Sequence, residues 1–170
     1  IEIIFLPQNL FINTDQTDQW TKYLLSGPLA SKVRLIQRLE HHSEVASLMR
    51  DADCVVNFSR AEGWNMPLLE ALSCGRSVIA TYYSGQTEFL TQQNATLINV
   101  KEKEDAIDGI FFDGAGQWLA FNNDMIEHMG YLLRKTFDAG PIYNNDGVLT
   151  AKKFTWENTA LTIIDILKGP

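Results

Sequence analysis

Apolar residues along this chain fall into short runs separated by stretches of helical spacing, and that rhythm predicts the fold. Five runs rich in β-branched residues read as strands: "IEIIFL" (1–6), "KVRLIQRL" (32–39), "DCVVNFS" (53–59), "SVIATYY" (77–83) and "ATLINV" (95–100). Helix-like stretches lie between them: "TDQWTKYLLS" (17–26), "SEVASLMRDA" (43–52), "MPLLEALSCG" (66–75) and "QTEFLTQ" (86–92). Strands alternating with helices of this length make parallel βαβ units. Near-continuous apolar strands such as "CVVNF" suit a sheet covered on both faces. The expectation is an α/β fold, a doubly wound and mainly parallel Rossmann-like sheet with helices on both faces, built from residues 1–170 as one domain.

After residue 100 the rhythm changes. Residues 101–120 hold "DGIFFDGAGQWLAF", an irregular glycine-and-aromatic segment. A helix is predicted from about Asn123 to Phe137, with Met125, Met129, Leu132 and Leu133 on one stripe. "DAGPIYNNDG" reads as a loop. The closing "TWENTALTIIDILK" reads as an amphipathic helix with Ala160, Ile163, Ile164 and Leu167 at helical spacing.

Charge and cysteine content narrow the function classes more than the fold. The net charge is −7, which argues against a nucleic-acid partner, since that needs a basic face. No apolar run approaches the roughly 18 residues of a membrane span, so no transmembrane segment is expected. Cys54 and Cys74 each sit in an apolar run and read as buried reduced thiols, which with the lack of a signal peptide points to a cytoplasmic setting. "NAT" at Asn94 matches a glycosylation sequon, but nothing else indicates secretion. His41 and His42 have no further ligand at metal spacing, and Ser43 reads as the cap of the helix after them. The chain opens at Ile1 inside a strand-like run, so it is expected to be a piece of a longer protein.

The chemistry concentrates in "SRAEGWNMPLLEALSCG", residues 59–75. Ser59 ends a strand, "RAEGWN" is the loop, and Pro67 falls where a helix tolerates proline, in its first turn. Ligands of open parallel sheets bind beyond the carboxyl ends of the strands. There the first N–H groups of the next helix lack internal partners, and they stabilise a phosphate without a metal. Gly63 lets the backbone approach a ligand. Glu70, about one turn into the helix, is an acceptor suited to a vicinal diol such as ribose, while Glu62 on the loop suits the hydroxyls of a second sugar. Two glutamates eight apart are common by chance in a chain with 21 acids, and acids near helix starts are favoured by the dipole alone.

"EGWNMPLLEALSCG" closely resembles the string that carries the Glu-x7-Glu pair in retaining glycosyltransferases of the GT-B fold, group 1 (family four). The similarity extends back through "RLEHHSEVASLMRDADCVVNFSRA" and forward through "RSVIATYYSGQTEFL", while "KKFTWENTA" resembles the lead into the family's last helix. The resemblance implies the C-terminal, nucleotide-sugar-binding half of such an enzyme, with its first strand missing. It implies that Glu70 binds the ribose hydroxyls and that Glu62, the catalytic candidate, contacts the transferred sugar. Backbone N–H groups across Trp64, Asn65, Met66 and Leu68 would meet the sugar or diphosphate, the strand end at Arg38 and Leu39 would lie near the base, and Gly85 in "SGQTE" (84–88) would sit on the next loop of the same rim. Asn65 stands where many members carry glycine.

The implied reaction is hexosyl transfer with retention from a donor such as a UDP- or GDP-sugar, with no cofactor and no metal. The family's acceptor-binding N-terminal domain and its diphosphate-neutralising basic loop lie ahead of anything matching Ile1, so the piece alone is expected to be inactive. Arg60 is read either as a diphosphate ligand or as a loop arginine in a local ion pair, and Arg38 has the same two readings. Trp64 either stacks on the donor sugar or anchors its loop, whereas Trp20, Trp118 and Trp156 are expected to pack in the core. Two alternatives stand beside the transferase: a nucleotide-sugar isomerase or epimerase of the same architecture, and a non-catalytic module that keeps the fold.

Overall fold

All five predicted strands are present in the computed structural model, which describes residues 1–6 and 14–169, without the side chains of residues 14–18 and 20. Trp20, expected in the core, therefore lies outside the described side chains. The strands are β1 (Ile3–Phe5), β2 (Val33–Leu35), β3 (Cys54–Asn57), β4 (Ser77–Thr81) and β5 (Thr96–Ile98). Helices α1 (Thr14–Ser26), α2 (His42–Asp51) and α3 (Met66–Ser73) alternate with them. Two compact units are distinguished, Ile1–Val45 and Ala46–Pro170.

In the first unit β1 and β2 pair in parallel, from Ile3 opposite Val33 to Phe5 opposite Leu35. Arg34 bridges Glu2 at 2.8 Å, but both side chains are exposed, so the pair adds little. At the start of α2 the Glu44 carboxylate accepts the N–H groups of Glu40 and His41 at 3.1 and 2.9 Å. Glu44 thus serves the helix start, and Ser43, the expected cap, lies one residue inside the helix. His41 and His42 are exposed.

The second unit holds the parallel order β3-β4-β5. Along β4, Val78 and Ala80 join the cluster formed with Leu68, Leu72 and Phe89. Ile79 joins Ile98, Met129 and Leu132 in a second cluster. The period of two sends alternate side chains to opposite faces, so helices cover both faces of this sheet, as a doubly wound arrangement requires. Burying each large side chain contributes about 1.5–3 kcal/mol. At the end of α3, Gly75 takes φ +68° and its N–H donates to Leu72 O, while Arg76 N–H reaches Ala71 O. That pair of bonds satisfies carbonyls the helix leaves open.

Three elements differ from the sequence reading. Residues 101–120, expected to be irregular, form an antiparallel hairpin of β6 (Lys103–Ile107) and β7 (Asp113–Leu119). At its tip Asp108 Oδ1 accepts three backbone N–H groups, from Ile110, Phe111 and Phe112. Those bonds, led by Phe112 and Ile110, hold the carboxyl below its ordinary range. "QTEFLTQ" is not a full helix; only a 3₁₀ turn over Ser84–Glu88 forms. The "DAGPIYNNDG" loop gives way to α5 (Asn145–Ala151), because Asn144 caps it by accepting Gly147 N–H at 2.8 Å.

The remaining helices are α4 (Asn123–Ala139) and α6 (Trp156–Lys168), both where expected. Leu133 on the α4 stripe is 40% exposed, and α6 carries no buried residue. Trp156, expected in the core, is 85% exposed, because it occupies the first position of that uncovered helix. No helix among the described residues is long and apolar enough to cross a membrane.

Cys54 and Cys74 are free and half-buried. Burial, reinforced by the Asp53 carboxylate, pushes the Cys54 thiol up to about 11. The neutral thiol is thus the folded form, a contribution present below the ordinary thiol range and lost as pH rises toward that value. Native Cys54 is expected to react with iodoacetamide at pH 8 about a hundredfold more slowly than in denaturant, because only the thiolate attacks. Mass spectrometry of the alkylated peptide reads this, and equal rates would contradict it.

Candidate functional site

The loop from Ser59 to Asn65 leaves the carboxyl end of β3 and enters α3, and a second loop, Tyr82–Gln86, leaves β4 beside it. The two are joined through three consecutive residues. Ser84 Oγ accepts the Glu62 N–H at 2.7 Å. Gly85 N–H donates to Glu62 O at 3.0 Å. Gln86 Oε1 accepts from Asn65 Nδ2 at 2.9 Å. A Cβ built on Gly85 would overlap the Gly63 carbonyl and come within 2.8 Å of Trp64 N, so the backbones touch where only glycine fits.

Between the two glutamates the N–H groups of Gly63, Trp64, Asn65 and Met66 make no hydrogen bond among the described residues. Leu68, expected in this set, is excluded: its N–H donates to Asn65 O at 3.1 Å, and its side chain is fully buried. The helix geometry causes this, since Asn65 O already serves the first turn. The carboxylates of Glu62 and Glu70 are half-buried and form no hydrogen bond or ion pair among the described residues. A Cβ on Gly63 would meet nothing within 4 Å, so that backbone is open to a ligand. Met66 is 45% exposed.

Trp64 anchors the loop. Its ring lies 5.4 Å from Phe89 and 5.5 Å from Phe154, in tilted and edge-on arrangements that favour aromatic pairing. Arg60 takes the ion-pair reading. Its guanidinium meets Glu104 of β6, lies 4.1 Å over the Trp118 ring, and donates through Nε to Leu119 O at 2.8 Å. The Leu119 N–H returns a bond to Arg60 O at 3.0 Å. Tyr83 adds a bond from its hydroxyl to Gln117 O at 3.2 Å. The hairpin is thereby stitched to both loops, a role the sequence hid because β6 and β7 were not legible as strands.

Arg76, the other arginine near α3, is committed as well: it donates to the carbonyls of Cys74, Arg50 and Ala52. Arg38 is exposed and Leu39 half-buried, and both belong to the first unit. Among the described residues no cluster of histidine, cysteine and carboxylate side chains is arranged to hold a metal ion.

The family model described as glycosyl transferases group 1 matches residues 9–111, more than half of the chain and all of the loop and helix just described. The chain belongs to the group 1 glycosyltransferases. A relative described as an uncharacterized glycosyltransferase, from Methanocaldococcus jannaschii, is 28% identical over 133 residues. The aligned part is 78% of this chain and 32% of that relative, so the chain spans about a third of its length.

Among solved structures, Anabaena HepE in complex with UDP-glucose superposes with a TM-score of 0.69 at 16% identity, over 99% of this chain and 41% of that one. Sucrose-phosphate synthase from Thermosynechococcus elongatus gives 0.65 at 17% identity, over 97% and 37%. The C-terminal domain of LpcC, a group 1 family protein from Francisella tularensis, gives 0.55 at 18% identity, over 82% and 62%. At such identities the likeness establishes the shared α/β fold, the one expected of a GT-B half.

Proposed function

We propose that this chain is the nucleotide-sugar-binding, C-terminal part of a retaining glycosyltransferase that needs no metal. The observation that carries the reading is a pair of half-buried glutamates without partners among the described residues, Glu62 and Glu70, bracketing a row of four N–H groups, likewise without partners there, on the loop into α3. Open donors set between two acceptor-only carboxylates in one stretch suit a ligand that carries both hydroxyls and an anionic group. Glu70 accepts hydrogen bonds from the ribose diol, Glu62 from the transferred hexose, and the N–H row with the α3 dipole meets the diphosphate. Fixed donors aimed where the leaving diphosphate gains charge are the main source of rate.

With Arg60 and Arg76 committed elsewhere, the N–H row carries that load within the second unit. HepE's complex with UDP-glucose favours a UDP-hexose among the donors. The acceptor is selected by a further domain of the kind the longer relatives have room for, and the setting is cytoplasmic.

The test uses the full-length protein. A thermal-shift screen against UDP-, GDP- and ADP-sugars is expected to show one class raising the Tm, since a ligand of the native state must stabilise it. Glu70→Ala is expected to weaken that ligand by about tenfold or more, the loss of charge-assisted bonds. Glu62→Ala keeps the affinity within about threefold and lowers turnover by about a hundredfold or more, as removal of a group acting in the transition state does. Parent-level transfer by both variants refutes the assignment.

A further inference from the structure

We infer that Gln86 is a positioning residue for donor binding: its buried amide holds Asn65 in the left-handed turn from which the N–H groups of Gly63 to Met66 are presented. The inference rests on the donor-site reading given above. Asn65 has φ 69° and ψ 60°, a conformation that residues other than glycine adopt rarely, with asparagine among the best tolerated. Its carbonyl accepts from Leu68 and Leu69 N–H, but no local side-chain bond secures the turn. Its side chain makes no cap hydrogen bond to α3, and its Oδ1 is buried without a partner. The bond from Nδ2 to Gln86 Oε1 is the one side-chain hydrogen bond it makes among the described residues.

Gln86 is fixed in turn. Its Nε2 donates to Thr81 O at 2.5 Å and to Thr81 Oγ1 at 3.3 Å, and Thr81 Oγ1 donates to Ser59 O at 2.6 Å. Thr81, Gln86 and Asn65 are 0%, 1% and 4% exposed, so water does not substitute for any of these bonds. Turning the Gln86 amide over would set its oxygen against Thr81 O and its NH₂ against the Asn65 NH₂, so the order of donors permits one orientation. The relay leaves the loop at Ser59 and returns to it at Asn65. A glutamine with no role in touching the donor therefore sets the backbone that does. Glycine at position 65 reaches the same angles without an anchor, so the demand on Gln86 is specific to a chain with asparagine there.

The experiment is a double-mutant cycle in the full-length protein, with nucleotide-sugar affinity by calorimetry, turnover and Tm as readouts. The ligand is UDP-glucose or, if it gives no thermal shift, the nucleotide sugar that does. Gln86→Met keeps the length of the side chain and removes its hydrogen bonds; it is expected to weaken the donor about tenfold while turnover at saturation stays within about threefold. Asn65→Gly supplies the reference background, and adding Gln86→Met to it is expected to cause no further loss of affinity.

Equal losses in both backgrounds would show Gln86 to be merely structural and overturn the inference, as would unchanged affinity in folded Gln86→Met. If Gln86→Met does not fold, Gln86→Asn gives the same decision, because it stays polar but is a methylene too short to reach both partners. A parent that binds no nucleotide sugar removes the donor-site reading itself. A parent that binds with Gln86 variants unaffected removes this inference alone.

Discussion

Gly85→Ala is expected to disable nucleotide-sugar binding, with a loss of affinity well beyond tenfold. The added methyl would overlap the Gly63 carbonyl and press on Trp64 N, both backbone atoms that cannot swing aside as a side chain would. Overpacking of this kind costs about 1–3 kcal/mol even where the structure yields. Relief requires the two loops to part. That breaks the Gly85 N–H bond to Glu62 O and the Ser84 bond to Glu62 N–H, so the catalytic candidate and the free N–H row move together.

Gly63→Ala is the control, since its methyl meets no protein atom within 4 Å. It should keep the parent's Tm and lose affinity only if a ligand lies against that backbone. Thermal melts and calorimetry on both variants decide the matter; undiminished binding by Gly85→Ala would show that the loop pairing is dispensable.

Asn94→Ala is expected to cost about 3 kcal/mol or more, because each buried group left without a partner costs about 1–3 kcal/mol. Asn94 is 2% exposed, and its side chain does three things at once. Its Nδ2 donates to Phe89 O at 2.8 Å and to Thr150 Oγ1 at 3.1 Å, and its Oδ1 accepts Thr91 N–H at 2.8 Å. It ties the segment after the 3₁₀ turn to α5. For a chain of this size the loss corresponds to a Tm drop of roughly 5–10 °C, readable by calorimetry.

The same geometry bears on the sequon at "NAT". The nitrogen that a glycan would occupy is already committed inside the protein, so the folded chain is not expected to be modified there. Asn94→Ala with an unchanged Tm would show that these bonds carry no net weight.

Much of the fold was legible because burial imposes a period. Strands such as "CVVNFS" and "SVIATYY" are apolar on both faces, and in the structure Val78 and Ile79 do face different clusters. β6 and β7 were not legible: "KEDAI" and "DGAGQWL" are mostly exposed and polar, so no alternation marks them, and the hairpin is held by backbone pairing and by Arg60. "QTEFLTQ" misled for the opposite reason. Its apolar residues, Phe89 and Leu90, are buried, but they fill the core from the stretch that follows a 3₁₀ turn. That helical reading also concealed Gln86, whose role depends on partners five and 21 positions away.

By itself the sequence determined the α/β alternation, the place of α3 after β3, and the pair Glu62 and Glu70 around a glycine-containing loop. These follow from local spacing, which a single chain records directly. Tertiary structure alone decided which groups are free and which are spent. Arg60 is drawn off by Glu104 and Trp118, Trp64 is turned into an aromatic cluster, and Leu68 N–H is consumed by the helix start, while Gly63 to Met66 keep their donors. Whether a polar group is available depends on partners distant in sequence, and no spacing rule within one segment records those.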